Sequence, residues 1–574
     1  MSKQKEHFST QEQEELLIKA MEATVALNPL VGVSSEELTK ILKQTAKQAI
    51  KQPSTLAKNS KKLAGKVVEI LKGTDQFEEA KGDRRFDDPA WEESAVYHRL
   101  KQAYLAWDES MGELVDDLSL DAKDERRAKF FKEVVTSSLA PTNFLFSNPK
   151  AMRKVVETRG MSLLKGLRNY VHDVKNNNAM PSQVDTSQFE VGENLATSEG
   201  VVVFRNEILE LIQYKPLTTR VFKRPLLIIP PQINKFYIYD LTKEKSFIQF
   251  CLSQGIQTFV ISWKNPSVEN RHWGMDAYVE SASEAVGAIL DITRSDDINL
   301  VGACAGGITA SILSYCLNQN ANIVNSLSLS VCMLSMHSND MDLNAFTSPA
   351  ALKTARETSQ EKGVLEGAEL AKVFSWMRPN DLVWNYHVNN YLLGEAPPAF
   401  DLLYWNSDST NLPAQLHSDF LDLYEDNLLY TGEMEVLGKK INLEKLECDK
   451  YITAGLTDHI TPWKSCYKTT QFVGGDIRFV LSSSGHIQSL VTPVSNINAN
   501  KTSNKKAKYF CSDNLPPLAE DWLEEAQQYP GSWWEDWSTW LIKRSGGKKA
   551  ARKTLGNSRH KPMGDAPGTY VFNR

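Results

Sequence analysis

The sequence has no long apolar run, and its charges are nearly balanced. No stretch approaches the roughly 18 apolar residues that a membrane-spanning helix needs, and the densest one, Pro225 to Pro230, has the length of a single strand. The net charge of −6 over 574 residues is too small to indicate a nucleic-acid partner. Residues 1–10 are polar and charged, unlike a secretory signal. We therefore expect a cytoplasmic protein with no transmembrane segment and no nucleic-acid partner.

Cysteine is scarce and irregularly spaced. The chain has seven cysteines, an odd number that suits a reducing compartment better than a disulfide framework. No Cys/His spacing suits zinc, and no glycine-rich loop suits a phosphate. We expect no metal site and no resident cofactor. Cys316 and Cys332 lie in apolar helix and strand patterns, which favours core packing for both.

Two regions of different pattern follow each other along the chain. The first is helix-like throughout, with aromatic anchors at Trp91, Tyr104 and Trp107, and it predicts a helical N-terminal domain at 1–180. The second, 181–574, alternates short β-branched runs with helical patterns, which predicts a mostly parallel sheet covered by helices. The predicted strands are Val201 to Phe204, Leu226 to Ile229, Thr258 to Trp263, Ile298 to Val301, Ser326 to Cys332, Tyr451 to Ala454 and Ile477 to Leu481.

The regular alternation lapses between Cys332 and Cys448. This interval is rich in aromatic residues and in Asn, Pro and Asp, and it is too long for a structureless loop. We expect a cap or lid at about 333–447, inserted into the sheet topology.

One N-terminal segment is strongly basic. Residues 40–72 carry nine lysines and a single acid, Glu69, between regularly spaced apolar residues. Two interpretations stay open, a solvated helical face or a segment that adsorbs to an anionic or amphiphilic surface.

The segment Ile298 to Thr309 is typical of a catalytic nucleophile. A strand leads into Gly302-Ala303-Cys304-Ala305-Gly306, and a helical pattern follows. This is the nucleophile elbow of the α/β-hydrolase fold with sulfur in place of the serine oxygen, and the small flanking residues let strand and helix approach. A helix N-terminus also stabilises a thiolate. The alternative is a small buried cysteine.

The elbow requires an acid after a later strand and then a histidine after the last strand. The run Tyr451 to Thr457 leads to Asp458, and the run Ile477 to Gly485 leads to His486. Three roles at three strand ends in the expected order predict a Cys304, Asp458, His486 triad on an α/β-hydrolase fold. For His459 we favour orientation of the acid loop. For the histidines at 337, 387 and 417 we favour surface or packing roles.

An oxyanion hole combines the backbone N–H after the nucleophile with one from the loop after an early strand. The first is that of Ala305. The loop that begins at Pro230 follows the predicted strand Leu226 to Ile229, and it supplies the N–H groups of Gln232 and Ile233.

With these motifs the sequence resembles the polyhydroxyalkanoate synthases, which polymerise (R)-3-hydroxyacyl-CoA into bacterial storage polyester. The motifs that carry the resemblance, besides the Cys304 elbow, are Asp83 to Phe86, Asp88 to Trp91, Pro230 to Lys235, Ser262 to Pro266, Trp405-Asn406, Asp458 to Ile460, Gly485 to Ile487, Gly531 to Trp534 and Ala566 to Val571. The family implies the same triad that the strand order predicts.

The resemblance also implies partners and a location. The chain looks most like the single-subunit Pseudomonas type, which prefers medium-chain monomers, although short-chain use stays open. It implies a homodimer at the surface of cytoplasmic polymer granules, acting on (R)-3-hydroxyacyl-CoA and the growing polyester chain, with CoA carried in by the substrate and released. Two other functions remain open, a cysteine-dependent thioesterase or depolymerase of the same fold and a non-catalytic granule-coat protein.

Overall fold

The structure, a computed structural model, describes residues 48–74, 77–79, 83–336, 349–494 and 507–574. The chain divides into two compact units. The first comprises Met1–Thr186, Asp342–Ala351 and Glu369–Phe400, and the second comprises Ser187–Met341, Leu352–Ala368 and Asp401–Arg574. Part of the interval in which we expected a cap therefore packs with the N-terminal helices.

Helices form the first unit. Their bounds are α1 (Pro53–Lys72), α2 (Ala90–Glu93), α3 (Ala95–Asp117), α4 (Ala122–Ser138), α5 (Pro149–Glu157) and α6 (Met161–Asn176), and π-helical turns follow at Asn380–Trp384 and His387–Leu392. Trp91 and Tyr104 are buried around Phe86, and Trp107 packs against this cluster. The aromatic anchors expected from the helical spacing are thus the core of this unit.

The basic segment forms helix α1 and packs along α3. Residues 40–47 of that segment lie outside the described residues. Within α1 three lysines face acids of α3, in the pairs Lys58–Asp117 at 2.9 Å, Lys66–Glu109 at 2.8 Å and Lys62–Glu113 at 3.5 Å. Part of the lysine face is therefore neutralised within the unit, and adsorption of this segment to a surface stays a prediction.

A mixed ten-stranded sheet is the centre of the second unit, in the order β1-β2-β5-β4-β6-β7-β12-β13-β14-β15. The strands in chain order are β1 (Gly200–Arg205), β2 (Leu209–Tyr214), β3 (Arg220–Phe222), β4 (Leu226–Ile229), β5 (Thr258–Trp263), β6 (Ile298–Ala303), β7 (Val324–Ser330), β8 (Val364–Leu365), β9 (Leu412–Pro413), β10 (Glu435–Val436), β11 (Lys439–Lys440), β12 (Asp449–Gly455), β13 (Ile477–Ser482), β14 (Lys508–Cys511), β15 (Gln527–Pro530) and β16 (Lys548–Ala550).

The six central strands, β5-β4-β6-β7-β12-β13, run parallel, and the strands at both edges pair antiparallel. Every residue of β4 is buried, as expected for a short apolar strand covered on both faces. The predicted strands are all present, and the architecture confirms the α/β-hydrolase fold class. However, β13 is only the last parallel strand, because β14 and β15 extend the sheet beyond it.

The helices that follow in the chain are α7 (Phe247–Ser253), α8 (Met275–Thr293), α9 (Ala305–Asn318), α10 (Pro349–Lys362), α11 (Gly367–Trp376), α12 (Asp401–Ser407), α13 (Ala414–Asp426), α14 (Leu428–Thr431), α15 (Trp463–Lys468), α16 (His486–Leu490), α17 (Ala519–Glu525) and α18 (Trp533–Ile542). Helices α10 to α14 lie in the insertion between β7 and β12. Its described part contributes no strand to the main sheet, which continues directly in β12.

Candidate active site

Cys304 occupies the turn between β6 and α9. Its φ of 48° and ψ of −126° are unusual for a residue with a side chain, and the thiol is half-buried. The N–H of Cys304 donates to Ser330 O at 3.0 Å, which fixes the turn to the neighbouring strand β7. A strained turn of this kind presents a nucleophile at the carboxyl edge of the sheet.

Two glycines permit this turn. A side-chain carbon at Gly302 would lie 2.7 Å from Gly306 O, and one at Gly306 would lie 2.4 Å from Ile229 O and 2.5 Å from Pro230 O. All three distances are below any normal contact. The first glycine therefore lets helix α9 approach strand β6, and the second lets the loop after β4 cross the start of that helix.

Asp458 and His486 form a buried pair at the ends of β12 and β13. Asp458 Oδ2 lies 2.7 Å from His486 Nδ1. The carboxylate also accepts hydrogen bonds from the backbone N–H groups of Ile460 and Thr461, both at 2.9 Å, and from the Thr461 hydroxyl at 2.7 Å. These bonds hold the carboxylate in place, so that it orients the imidazole.

The pKa values of the pair favour an ion pair. Burial lowers the pKa of His486, but the charge and hydrogen bond of Asp458 and a hydrogen bond with the Cys304 thiol raise it more, from 6.5 to about 10. Burial raises the pKa of Asp458, and its interactions with His486 and Thr461 outweigh that effect and lower it below 3.8. Asp458 thus stabilises the imidazolium that forms when the ring takes the thiol proton.

The candidate oxyanion donors lie on the nucleophile helix and on the loop that crosses its start. Ala305 is the first residue of α9, so its N–H has no acceptor within the helix. Gln232 and Ile233 lie on the loop that crosses the helix start at Gly306. The Gln232 side chain donates to Thr309 Oγ1 of α9 at 2.7 Å, which fixes this loop to the nucleophile helix.

Comparisons with known proteins show the family to which the chain belongs. A family described as "Poly-beta-hydroxybutyrate polymerase (PhaC) N-terminus" matches residues 82–251, and one described as "alpha/beta hydrolase fold" matches residues 225–493. The chain is 44% identical to "Poly(3-hydroxyalkanoate) polymerase 1" of Ectopseudomonas oleovorans over 569 residues, which cover 99% of this chain and 100% of that protein. The chain belongs to the poly(3-hydroxyalkanoate) polymerases.

Other polymerases of the family are similar to this chain over most of their length. "Poly(3-hydroxyalkanoate) polymerase 2" of the same organism is 43% identical over 95% of this chain and 96% of its own length. "Poly(3-hydroxyalkanoate) polymerase subunit PhaC" of Cupriavidus necator is 38% identical over 85% of this chain and 83% of its own length. The family predicted from the motifs is confirmed, and the chain is an enzyme of the acyltransferase type.

The histidines at 387 and 417 of this poly(3-hydroxyalkanoate) polymerase have partners other than the triad. His387 is half-buried in the first unit with its Nε2 3.2 Å from Asn143 O, and His417 is buried with its Nδ1 2.9 Å from Ser359 Oγ. Both are packing residues, as we favoured. His337 lies outside the described residues. His459 is half-buried beside Asp458, and its role in orienting the acid loop stays a prediction.

Two further cysteines had been predicted to pack in the core. Cys332 is buried against the nucleophile helix, because a side-chain carbon at Gly307 would lie 2.6 Å from its sulfur. Cys316 is only half-buried on α9.

Among the residues the structure describes, no group of three or more His, Cys, Asp or Glu side chains could hold a metal ion.

Sequence reasoning missed Thr461. Its hydroxyl donates to Asp458 Oδ2 and lies 3.1 Å from His486 Nδ1, so it touches both members of the pair. An aspartate side chain often accepts a backbone N–H from a residue two or three positions later, so the spacing could have indicated the Thr461 N–H but not the contacts of its hydroxyl. Over the described part of the polymerase, no helix has both the length and the apolar character needed to cross a membrane.

Proposed function

We propose that this polymerase transfers (R)-3-hydroxyacyl groups from CoA to a growing polyester through a thioester on Cys304. The observation that carries the proposal is the buried Asp458–His486 pair, 2.7 Å apart, whose imidazole interacts with the Cys304 thiol on a strained elbow. The relatives' names supply the class of product. The proposal includes no cofactor, because CoA arrives with the substrate and leaves.

The first half of the cycle loads the enzyme. His486 takes the proton of the Cys304 thiol, and the thiolate attacks the carbonyl carbon of the substrate thioester. The N–H groups of Ala305 and of the loop after β4 bind the oxyanion. The new carbon–sulfur bond to Cys304 forms as the bond to CoA breaks, and the CoA sulfur receives the proton from His486. One thioester replaces another, so the exchange is nearly balanced in energy.

The second half extends the polymer. The 3-hydroxyl of another acyl unit attacks the Cys304 thioester, an ester bond forms, and the proton returns to the sulfur through a base. Sequence reasoning left His486 and Asp458 both open as this base. Both oxygens of Asp458 already accept hydrogen bonds, and its side chain is fully buried, which supports His486.

We further propose a preference for medium-chain monomers, supported by the likeness to the Ectopseudomonas polymerases. We expect kcat/KM for CoA release to be at least about tenfold higher with 3-hydroxyoctanoyl-CoA than with 3-hydroxybutyryl-CoA, because each methylene that fits an apolar pocket adds binding energy. The measurement is thiol release across a series of acyl lengths, with analysis of the product.

This series has two separable outcomes. Equal or better use of the butyryl substrate would refute the medium-chain preference alone. Free hydroxy acid without polymer would instead overturn the polymerase proposal and favour a thioesterase.

Granule association is also part of the proposal, and the first unit offers an apolar face for it. On α6 the side chains of Met161, Leu164 and Leu167 recur at helical spacing and are 52%, 60% and 59% exposed. We propose that this face contacts the polyester granule, whose surface is apolar and to which the growing chain keeps the enzyme attached. The homodimer stays a prediction.

The double substitution Leu164→Gln and Leu167→Gln is expected to lower granule binding about tenfold, because two partly exposed leucines lose their apolar contact. The measurement is co-sedimentation with washed granules. Acylation by free acyl-CoA should not change, since the site is in the other unit. Leu518→Gln, at a leucine that is 60% exposed in the second unit, is the matched control. Undiminished binding by the double variant would exclude the α6 face.

A further inference from the structure

The loop after β4 carries the candidate oxyanion donors, the N–H groups of Gln232 and Ile233. The direction of each N–H depends on what binds the carbonyl group of the preceding residue, because the two groups belong to one peptide unit. In a trans peptide the C=O of one residue and the N–H of the next point in opposite directions. A bond to the carbonyl of Gln232 therefore fixes the direction of the Ile233 N–H.

A segment of the insertion binds these carbonyls. The Thr410 hydroxyl donates to Gln232 O, and the Thr410 N–H donates to Ile233 O at 3.1 Å. Three residues further along the loop, Trp405 Nε1 donates to Lys235 O at 2.7 Å. The insertion segment thus holds the carbonyl side of the loop from Gln232 to Lys235.

The opposite side of the loop is left for a ligand. Within the described residues, neither the Gln232 nor the Ile233 N–H donates to a protein acceptor. Thr410 is 2% exposed, so water does not replace its hydroxyl when that bond is lost. Gln232 is buried and Ile233 is half-buried, and backbone N–H groups without a protein acceptor on this loop are suited to an oxyanion.

We propose that Thr410 is a positioning residue that aims the Ile233 N–H at the oxyanion formed on the acyl carbonyl. This inference rests on the proposed function. It adds a dependence of the oxyanion hole on the insertion: the loop carries the donor, and the inserted segment decides its direction. Thr410 lies 178 positions after Gln232, the residue whose carbonyl it binds.

The test is Thr410→Val, which keeps the shape and the backbone N–H but removes the hydroxyl. We expect kcat for CoA release to fall about 10- to 100-fold, because a displaced oxyanion donor costs most of its effect, while KM stays within about twofold. Thr410→Ser restores the hydroxyl and should recover most of kcat. A purely structural role would not give this split between kcat and KM or this rescue.

Matched variants keep the outcome interpretable. Thr293→Val removes a buried hydroxyl that donates to Ile289 O at 2.7 Å in α8, away from the loop, and should leave kcat unchanged. If Thr410→Val does not fold, Trp405→Phe removes the donor to Lys235 O and should lower kcat in the same way.

Three results would overturn the inference: an unchanged kcat for Thr410→Val, no rescue by Thr410→Ser, or an equal loss in Thr293→Val. Cys304→Ala is run beside them. If that variant is inactive while Thr410→Val is fully active, only the positioning role fails. If Cys304→Ala is itself active, the proposed function fails.

Discussion

Replacing Cys304 with alanine is expected to lower CoA release from 3-hydroxyacyl-CoA by about 10⁴- to 10⁶-fold, because no other group can form the acyl-enzyme. The elbow itself should persist, since alanine is smaller than cysteine and the neighbouring glycines still permit the turn with its positive φ of 48°. The measurement is thiol release under saturating substrate, together with intact mass of the enzyme after one turnover.

The matched control is Cys316→Ala, on the same helix and half-buried. It should retain kcat within about twofold and still gain the mass of one acyl group. Polymer formation by Cys304→Ala at an unchanged rate would refute the assignment of the nucleophile. An acyl adduct on a different cysteine would refute it as well.

Replacing Asp458 with asparagine is expected to lower kcat about 10⁴-fold. Asp458 accepts the His486 Nδ1–H at 2.7 Å, so that Nε2 faces the thiol as an acceptor. An amide can present its NH₂ group instead, which favours the other tautomer and leaves the imidazolium without a counter-charge. Steady-state CoA release measures the loss.

The same variant also has a pH signature in stability. The pKa of His486 is raised from 6.5 to about 10 by Asp458 and Cys304, so the stabilisation is fully present below pH 6.5 and is lost as pH rises through about 10. The lowered pKa of Asp458 means that its contribution is lost only as pH falls below its usual range. The difference in melting temperature between the wild type and Asp458→Asn should therefore be large near pH 6.5 and shrink toward pH 10.

Asp449→Asn is the control for both measurements. Asp449 begins the same strand, β12, and pairs with Arg544 at 2.7 Å at the end of the strand opposite to the site. Its replacement should leave kcat unchanged and cost no more than about 1 kcal/mol of stability, since the pair is partly exposed. A wild-type kcat in Asp458→Asn would show that the imidazole is oriented by other contacts.

The central part of the fold could be predicted because its signals are local. The run Leu226 to Ile229 is apolar throughout, and β4 is indeed buried on both faces between parallel neighbours. The strands β14 and β15 at one edge of the sheet were not predicted. Both carry polar and partly exposed residues, and they are strands only because they pair antiparallel beside β13.

The ion pairs between the basic helix α1 and helix α3 could not be predicted from the sequence either. A lysine-rich segment with apolar residues between the lysines suits a solvated face and a surface anchor equally well. The acids that pair with these lysines lie on α3, the second helix after α1. Only the packing of α1 along α3 brings Lys58 within 3 Å of Asp117 and Lys66 within 3 Å of Glu109.

By itself, the sequence determined the fold class and the three residues that the structure brings together, Cys304, Asp458 and His486. Each of them follows a strand, and strand order converts positions along the chain into positions along one sheet edge. The tertiary structure alone decided which groups hold them. The Thr461 hydroxyl between Asp458 and His486, and the Thr410 hydroxyl on Gln232 O, depend on side-chain directions and on contacts between distant segments. Periodicity and turn chemistry report local geometry, and a hydrogen bond between distant residues leaves no pattern in either.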